Sequence, residues 1–181
     1  GNLRMQYNFT DQFNVRFRYS ADVLEEQRQY RRAPSTRGVL LGSYREDEIS
    51  FSETNAELLV GYNTDRTDNS LFDLDLKVGG NIMSQNANIL VANNPQLKFF
   101  GTDESIYTLT NARSGVLVES QKTEAGINSV FGIATLSYKN YLYLDATYRQ
   151  DWNSTLVNPD RGLEDSEYSF GYPSVSLSAI V

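Results

Sequence analysis

Alternation with a period of two residues constrains this chain more than any other feature. From Phe13 onward, Phe13, Val15, Phe17, Tyr19, Ala21 and Val23 share one parity, while Asn14, Arg16, Arg18, Ser20 and Asp22 share the other. An extended strand points successive side chains to opposite faces, so this segment has one apolar and one strongly polar face. The same pattern returns along the chain: Leu3, Met5, Tyr7 and Phe9; Ala56, Leu58, Val60 and Tyr62, with Leu59 as the exception; Phe72, Leu74, Leu76 and Val78; Leu142, Leu144, Ala146 and Tyr148; Val175, Leu177, Ala179 and Val181. A less regular strand lies between about Val116 and Tyr138. The pattern predicts an all-β chain of about seven strands with no helix.

The connections alternate as well. Thr10-Asp11-Gln12, the segment from Thr64 to Ser70, and Lys139-Asn140 are short, whereas roughly 24–44, 84–112 and 153–169 are long. One end of the sheet therefore carries tight turns and the other carries the large loops, as in outer-membrane barrels. Tyr7, Phe9, Phe13, Tyr62, Phe72, Tyr138 and Tyr141 crowd the tight-turn end, as an aromatic girdle at a membrane interface would.

Composition closes several alternatives. The 181 residues include no Cys and no His, which removes thiolate metal sites, disulfides and His-based catalytic triads. A net charge of −7 disfavours nucleic acid as a partner. No apolar run reaches the roughly 20 residues of a membrane helix, and Gly1-Asn2-Leu3-Arg4 does not open a signal peptide. Barrel strands expose apolar side chains only at alternate positions, so a polar average is compatible with a membrane barrel. A soluble β-sandwich with one solvated face remains the competing architecture on pattern alone. Strand length and loop asymmetry favour the barrel, and an odd strand number makes the chain a piece of a larger one.

Lys139 to Leu156, with Asp151-Trp152-Asn153-Ser154-Thr155-Leu156 at its end, resembles the late-barrel signature of SusC/RagA-type TonB-dependent outer-membrane transporters. Phe170-Gly171-Tyr172-Pro173-Ser174-Val175-Ser176-Leu177-Ser178 resembles the strand that follows it in that family. Asn2 to Tyr7, Thr54 to Leu59 and Leu109-Thr110-Asn111 resemble earlier family segments in the same order; Gln150, Asn153 and Gly171 depart from the usual pattern. The resemblance implies a 22-stranded transmembrane barrel, of which residues 1–181 form an interior to late part without the plug domain or the TonB-contacting segment. It further implies the outer membrane of a Gram-negative, Bacteroidota-like bacterium, a SusD-like surface lipoprotein as partner, TonB engaged through an N-terminal region, and glycan or peptide cargo. The barrel's outer face would meet membrane lipid.

Candidate chemistry is sparse. Asp73 and Asp75 share a strand face, but without a third carboxylate they read as solvated charges rather than a cation or acid/base site. Asp65 to Asn69 lacks the Gly and terminal Glu of a calcium loop. No catalytic, metal or cofactor residues are expected. Recognition is expected in the long connections. Residues 1–45 hold eight basic and four acidic side chains, against eight and nineteen in 46–181, and the arginines gather around Tyr30. The candidate ligand or partner residues are Tyr30, Arg31, Arg32, Phe99, Phe100, Tyr107 and Trp152, with Phe99 and Phe100 placed to dock the lipoprotein. Trp152 also reads as an interface anchor. Two other functions compete: a soluble carbohydrate-binding sandwich, and a glycoside hydrolase built on two carboxylates.

Overall fold

The computed structural model describes residues 1–64, 71–98, 106–139, 141–156 and 168–180. Seven strands form one sheet in chain order: β1 (Asn2–Asn8), β2 (Phe13–Arg32), β3 (Ser43–Asn63), β4 (Phe72–Asn94), β5 (Leu117–Tyr138), β6 (Leu142–Asn153) and β7 (Ser169–Ala179). A single 3-10 turn, Ser154–Leu156, follows β6. Among the described residues there is no α-helix.

Register converts the alternation of each strand into two continuous faces, because a slip of one residue would exchange them. β1 and β2 pair antiparallel with Leu3 opposite Tyr19, Met5 opposite Phe17 and Tyr7 opposite Val15. Across β5, β6 and β7 the apolar row Leu136, Leu144, Leu177 lies beside the polar row Thr135, Asp145, Ser176. The polar row is hydrogen-bonded, with Thr135 Oγ1 donating to Asp145 Oδ1 at 2.7 Å. The aromatics of the tight-turn end meet as expected: Tyr7 packs edge-on against Phe9 at 4.7 Å between ring centres, Phe9 meets Phe13 at 5.5 Å, and Tyr138 contacts both Phe72 and Tyr141.

The strands run further than the sequence pattern. β2 continues to Arg32 and β3 begins at Ser43, so the connection expected over 24–44 is only 33–42. Likewise β4 reaches Asn94 and β5 starts at Leu117, leaving 95–116 between them. Glu25, Glu26, Gln27, Arg28 and Gln29 are polar on both parities and give no amphipathic signal. The extended ladder there is held by pairing with neighbouring strands, and single-strand patterning cannot report that pairing.

Two compact units make up the chain. Unit 1 comprises Gly1–Asp22, Glu53–Gln85 and Ala125–Val181; unit 2 comprises Val23–Ser52 and Asn86–Glu124. Most of the exposed large apolar side chains belong to unit 1, including Met5 at 60%, Val78 at 59%, Val175 at 72% and Leu177 at 67% exposure. Leu59, the exception to the β3 alternation, is buried there. It occupies space left open by Gly79: a Cβ on Gly79 would lie 2.7 Å from Phe131 Cζ, 2.9 Å from Leu59 Cδ1 and 2.9 Å from the Leu58 carbonyl oxygen. The Arg149 guanidinium sits 5.8 Å from the centre of the Phe131 ring, above this small apolar cluster.

Replacing Gly79 with Val should therefore displace Phe131 or force β3 and β4 apart, at a cost of about 1–3 kcal/mol. Denaturant unfolding of the intact protein, compared with a Gly80→Val control, measures this. An equal effect of the two substitutions would contradict the packing described.

Candidate functional site

Unit 2 holds the sequence-predicted residues Tyr30, Arg31, Arg32 and Tyr107. The first three stand at the end of β2 rather than in a loop. Period-two geometry sends Arg31 one way and Tyr30 and Arg32 the other. Arg31 lies over the Tyr107 ring at 5.9 Å, and its Nη2 donates to Gln29 Oε1 at 3.0 Å. Tyr107 also faces Tyr44, with ring centres 6.5 Å apart. Tyr30 instead receives the Arg45 guanidinium at 5.5 Å. Trp152 belongs to unit 1, where it pairs with Asn128 and Ser169 in β6 at the same parity as Leu144 and Tyr148. Phe99, Phe100 and the Asp65 to Asn69 segment lie outside the described residues.

The charged side chains of unit 2 pair along single strands at a spacing of two. Arg28 Nε and Nη2 donate to Glu26 at 2.7 and 2.8 Å. Arg45 Nε and Nη2 donate to Asp47 at 2.5 and 2.9 Å, and Lys122 Nζ lies 2.6 Å from Glu124. Residues two apart project from the same face of a strand, so an acid and a base at that spacing meet without help from the fold. This signal was present in the sequence, and a search for metal or catalytic clusters passes over it. The hydrogen bond from Arg28 holds the Glu26 carboxyl below its ordinary range, and the bond from Lys122 does the same for Glu124. Asp47 is 4% exposed, so the fork of Arg45 both neutralises it and is oriented by it.

The core of unit 2 lies under these charges. Tyr44 and Leu97 are buried, together with Asn94 and Asn111. Asn111 Nδ2 donates to the Ile106 carbonyl at 2.8 Å and Asn94 Nδ2 to the Thr108 carbonyl at 3.1 Å, which ties the 95–116 connection to β4. The backbone N–H of Leu97 donates to the Gly42 carbonyl at 3.2 Å, joining the two connections. Gly42 has φ +78°, and a Cβ there would stand 2.8 Å from the Arg32 carbonyl oxygen and 3.2 Å from Leu97 Cδ1. Only glycine meets both demands. The 33–42 connection is itself closed by hydrogen bonds from the N–H of Val39 to the Thr36 carbonyl and from the N–H of Ser35 to the Leu40 carbonyl, both at 2.8 Å.

An open cleft of about 630 Å³ lies within unit 2, with Tyr30, Arg32, Arg45, Ser43, Asn93 and Gln96 among the residues lining it. Unit 1 has its own cleft of about 600 Å³ on the polar face, where Arg18 Nη2 meets Glu57 Oε2 at 3.1 Å and Asn81 Nδ2 donates to Asn55 Oδ1 at 2.6 Å. The sequence-noted carboxylates do not converge: Asp75 pairs with Lys77 Nζ at 2.8 Å, while Asp73 accepts from Ser137 Oγ at 3.5 Å.

No family model and no curated protein sequence matches the chain. Solved structures do. The RagAB peptide transporter matches with a TM-score of 0.80 at 18% identity, over 96% of this chain and 18% of that one. The RagAB peptide importer matches in its open-open state with a TM-score of 0.79 and in its closed-closed state with 0.81, each at 18% identity and over 97% of this chain. The chain thus spans 18–19% of the length of the structures it matches. At this identity the likeness establishes the fold: seven consecutive antiparallel strands in one sheet, as in the matching part of the RagAB structures. The sequence resemblance to SusC/RagA proteins pointed to the same architecture.

Tyr44 supplies a pH test of unit 2. Its hydroxyl donates to Glu46 Oε1, and that hydrogen bond, followed by burial and the carboxylate's charge, raises the phenol above the ordinary tyrosine range. The contribution of this bond is therefore complete below about pH 10 and is lost as pH rises through the raised value of Tyr44. In an ultraviolet titration, Tyr44→Phe should remove a late-ionising phenol; removal of an ordinary one would contradict the geometry.

Proposed function

We propose that the chain is part of a single TonB-dependent receptor barrel in the outer membrane, importing oligomeric cargo with a SusD-like surface lipoprotein. One observation supports the reading above the others: in unit 1 most of the large apolar residues share one face in register and remain exposed, while the opposite face, apart from the small cluster of Leu59 and Phe131, is polar and hydrogen-bonded. A soluble sandwich would bury that apolar face against a second sheet. Lipid is the environment that suits it, because a barrel strand presents apolar side chains outward and polar ones inward. The aromatic clusters around Phe9 and Tyr138 fit a membrane interface, and Trp152 fits an anchor at such an interface.

Transport is supported by the solved structures that share the fold, which are peptide transporters. Peptide is therefore favoured over glycan as cargo. Energy coupling through TonB belongs to an N-terminal region of the intact protein. Unit 2 carries recognition, with Tyr30, Arg31, Arg32 and Tyr107 as its candidate residues and Phe99 and Phe100 as candidates for contact with the lipoprotein. The strands of 20–23 residues are long enough for this division: a crossing uses about 9–11 residues of each.

Lipid exposure of Phe17, Leu58, Leu74, Leu144 and Leu177 is tested by arginine substitution in the intact protein. Leu144→Arg should cost about 2–4 kcal/mol in folding into lipid vesicles if it lies near the midplane. Thr147→Arg, on the opposite parity beside Ala146, should be mild. Equal folding yields of the two variants would refute the membrane assignment.

A further inference from the structure

The arginines of unit 2 are not equivalent. Arg28 is bonded to Glu26, Arg31 to Gln29 and the Tyr107 ring, and Arg45 to Asp47. The Arg32 side chain has neither a hydrogen bond nor an ion pair among the described residues, and it is exposed. It lines the same cleft as Arg45 and Tyr30. In that cleft Arg45 is held by a buried carboxylate on one side and by the Tyr30 ring on the other. The remaining lining is Ser43, Asn93 and Gln96, which are polar, the turn at Gly38 and Val39, and Pro95.

We infer that this cleft binds a carboxylate carried by the cargo, with Arg32 as its principal partner and Arg45 and Tyr30 as the preset wall beside it. Three physical points support the assignment. A guanidinium offers a planar fork that matches a carboxylate with two parallel hydrogen bonds, and Arg32 has that fork uncommitted. Arg45 cannot turn away, because Asp47 fixes two of its nitrogens; its positive charge is already balanced, so the uncompensated charge of the cleft is that of Arg32. The floor is preorganised by Gly42, which packs against the Arg32 carbonyl, and by the closed turn of 33–42. Preorganisation reduces the entropy lost on binding. Arg31 and Tyr107, on the opposite parity, hold the 95–116 connection against β2, and their role is to position that connection.

The inference rests on the import reading and deepens it, since it names the chemistry of the cargo. A carboxylate can come from an acidic peptide or from an acidic sugar. The test uses the intact transporter in detergent, with calorimetric binding of four probes: a pentapeptide carrying two aspartates, its asparagine counterpart, tri-galacturonic acid and uncharged galactotriose. Arg32→Glu should weaken an acidic probe at least tenfold and leave its neutral counterpart within twofold, while Arg32→Lys, which keeps the charge but not the fork, should restore only part of the lost affinity. A charge effect confined to the peptide pair assigns a peptide carboxylate, and one confined to the sugar pair assigns a uronic acid; either supports the inference. Loss of affinity below twofold, equal losses for acidic and neutral probes, or no binding of any probe would overturn it. Fractionation separates this from the reading beneath it. Intact protein in the outer membrane that binds neutral cargo leaves import standing while the carboxylate site falls, whereas intact protein outside the membrane removes both.

Discussion

A β-strand shows one set of side chains to each of two environments, and the hydrogen-bonded ladder with its neighbours decides whether those sets stay separate. In this chain the ladder keeps Leu136, Leu144 and Leu177 in one row and Thr135, Asp145 and Ser176 in the next. Shifting β6 by a single residue would place Asp145 in the apolar row and Leu144 in the polar one, and every pair along the strand would suffer the same exchange. The apolar face, the polar network and the aromatic clusters all depend on that register. Tight turns pin it: between β5 and β6 the Tyr141 N–H donates to the Tyr138 carbonyl at 3.2 Å, and between β1 and β2 the Phe9 N–H donates to the Phe13 carbonyl and Phe13 N–H to Thr10 Oγ1, both at 2.9 Å.

The two units solve different problems with the same strands. Unit 1 leaves its apolar side chains outward and satisfies its polar ones through cross-strand bonds such as Arg149 to Ser129 and Asn81 to Asn55. Unit 2 exposes apolar side chains such as Val23 and Leu40 without the continuous apolar row of unit 1. It instead combines a small core at Tyr44 and Leu97 with charge pairs two residues apart, and it docks its two connections onto one another through Gly42 and Leu97. Exposed ion pairs of this kind contribute little stability. Their effect here is to fix which cations are committed and which stay available to a ligand.

Much of the fold was legible because amphipathic alternation is a local property: Phe13 to Val23 declares its strand without reference to any neighbour. The C-terminal half of β2 does not, since Glu25 to Gln29 has no apolar parity and becomes a strand only through pairing, and the pattern alone therefore places Tyr30 to Arg32 in a loop. Leu59 broke the pattern for a reason visible only in three dimensions, where Gly79 and Phe131 make room for it. The candidate site was legible as an arginine-rich region around Tyr30. Its division into committed and uncommitted arginines was not, because Tyr107 reaches Arg31 across a long sequence separation. The spacing-two charge pairs could have been read directly: they commit Arg28 and Arg45 and leave Arg31, Arg32 and Arg37 with no acidic residue two positions away, so that only the structure, through Gln29 and the Tyr107 ring, separates Arg31 from Arg32.

The central claim is that one face of unit 1 meets lipid and the other meets water. The chain contains no cysteine, so single cysteines can be introduced without a background thiol. Substituting each position from Leu142 to Trp152 in the intact protein, in vesicles, and labelling with a membrane-impermeant thiol reagent reads the two faces directly. The account predicts reactivity alternating with a period of two, low at Leu144, Ala146 and Tyr148 and high at Asp145, Thr147 and Arg149. Reactivity that is uniform along β6, or alternates in the opposite phase, would contradict it.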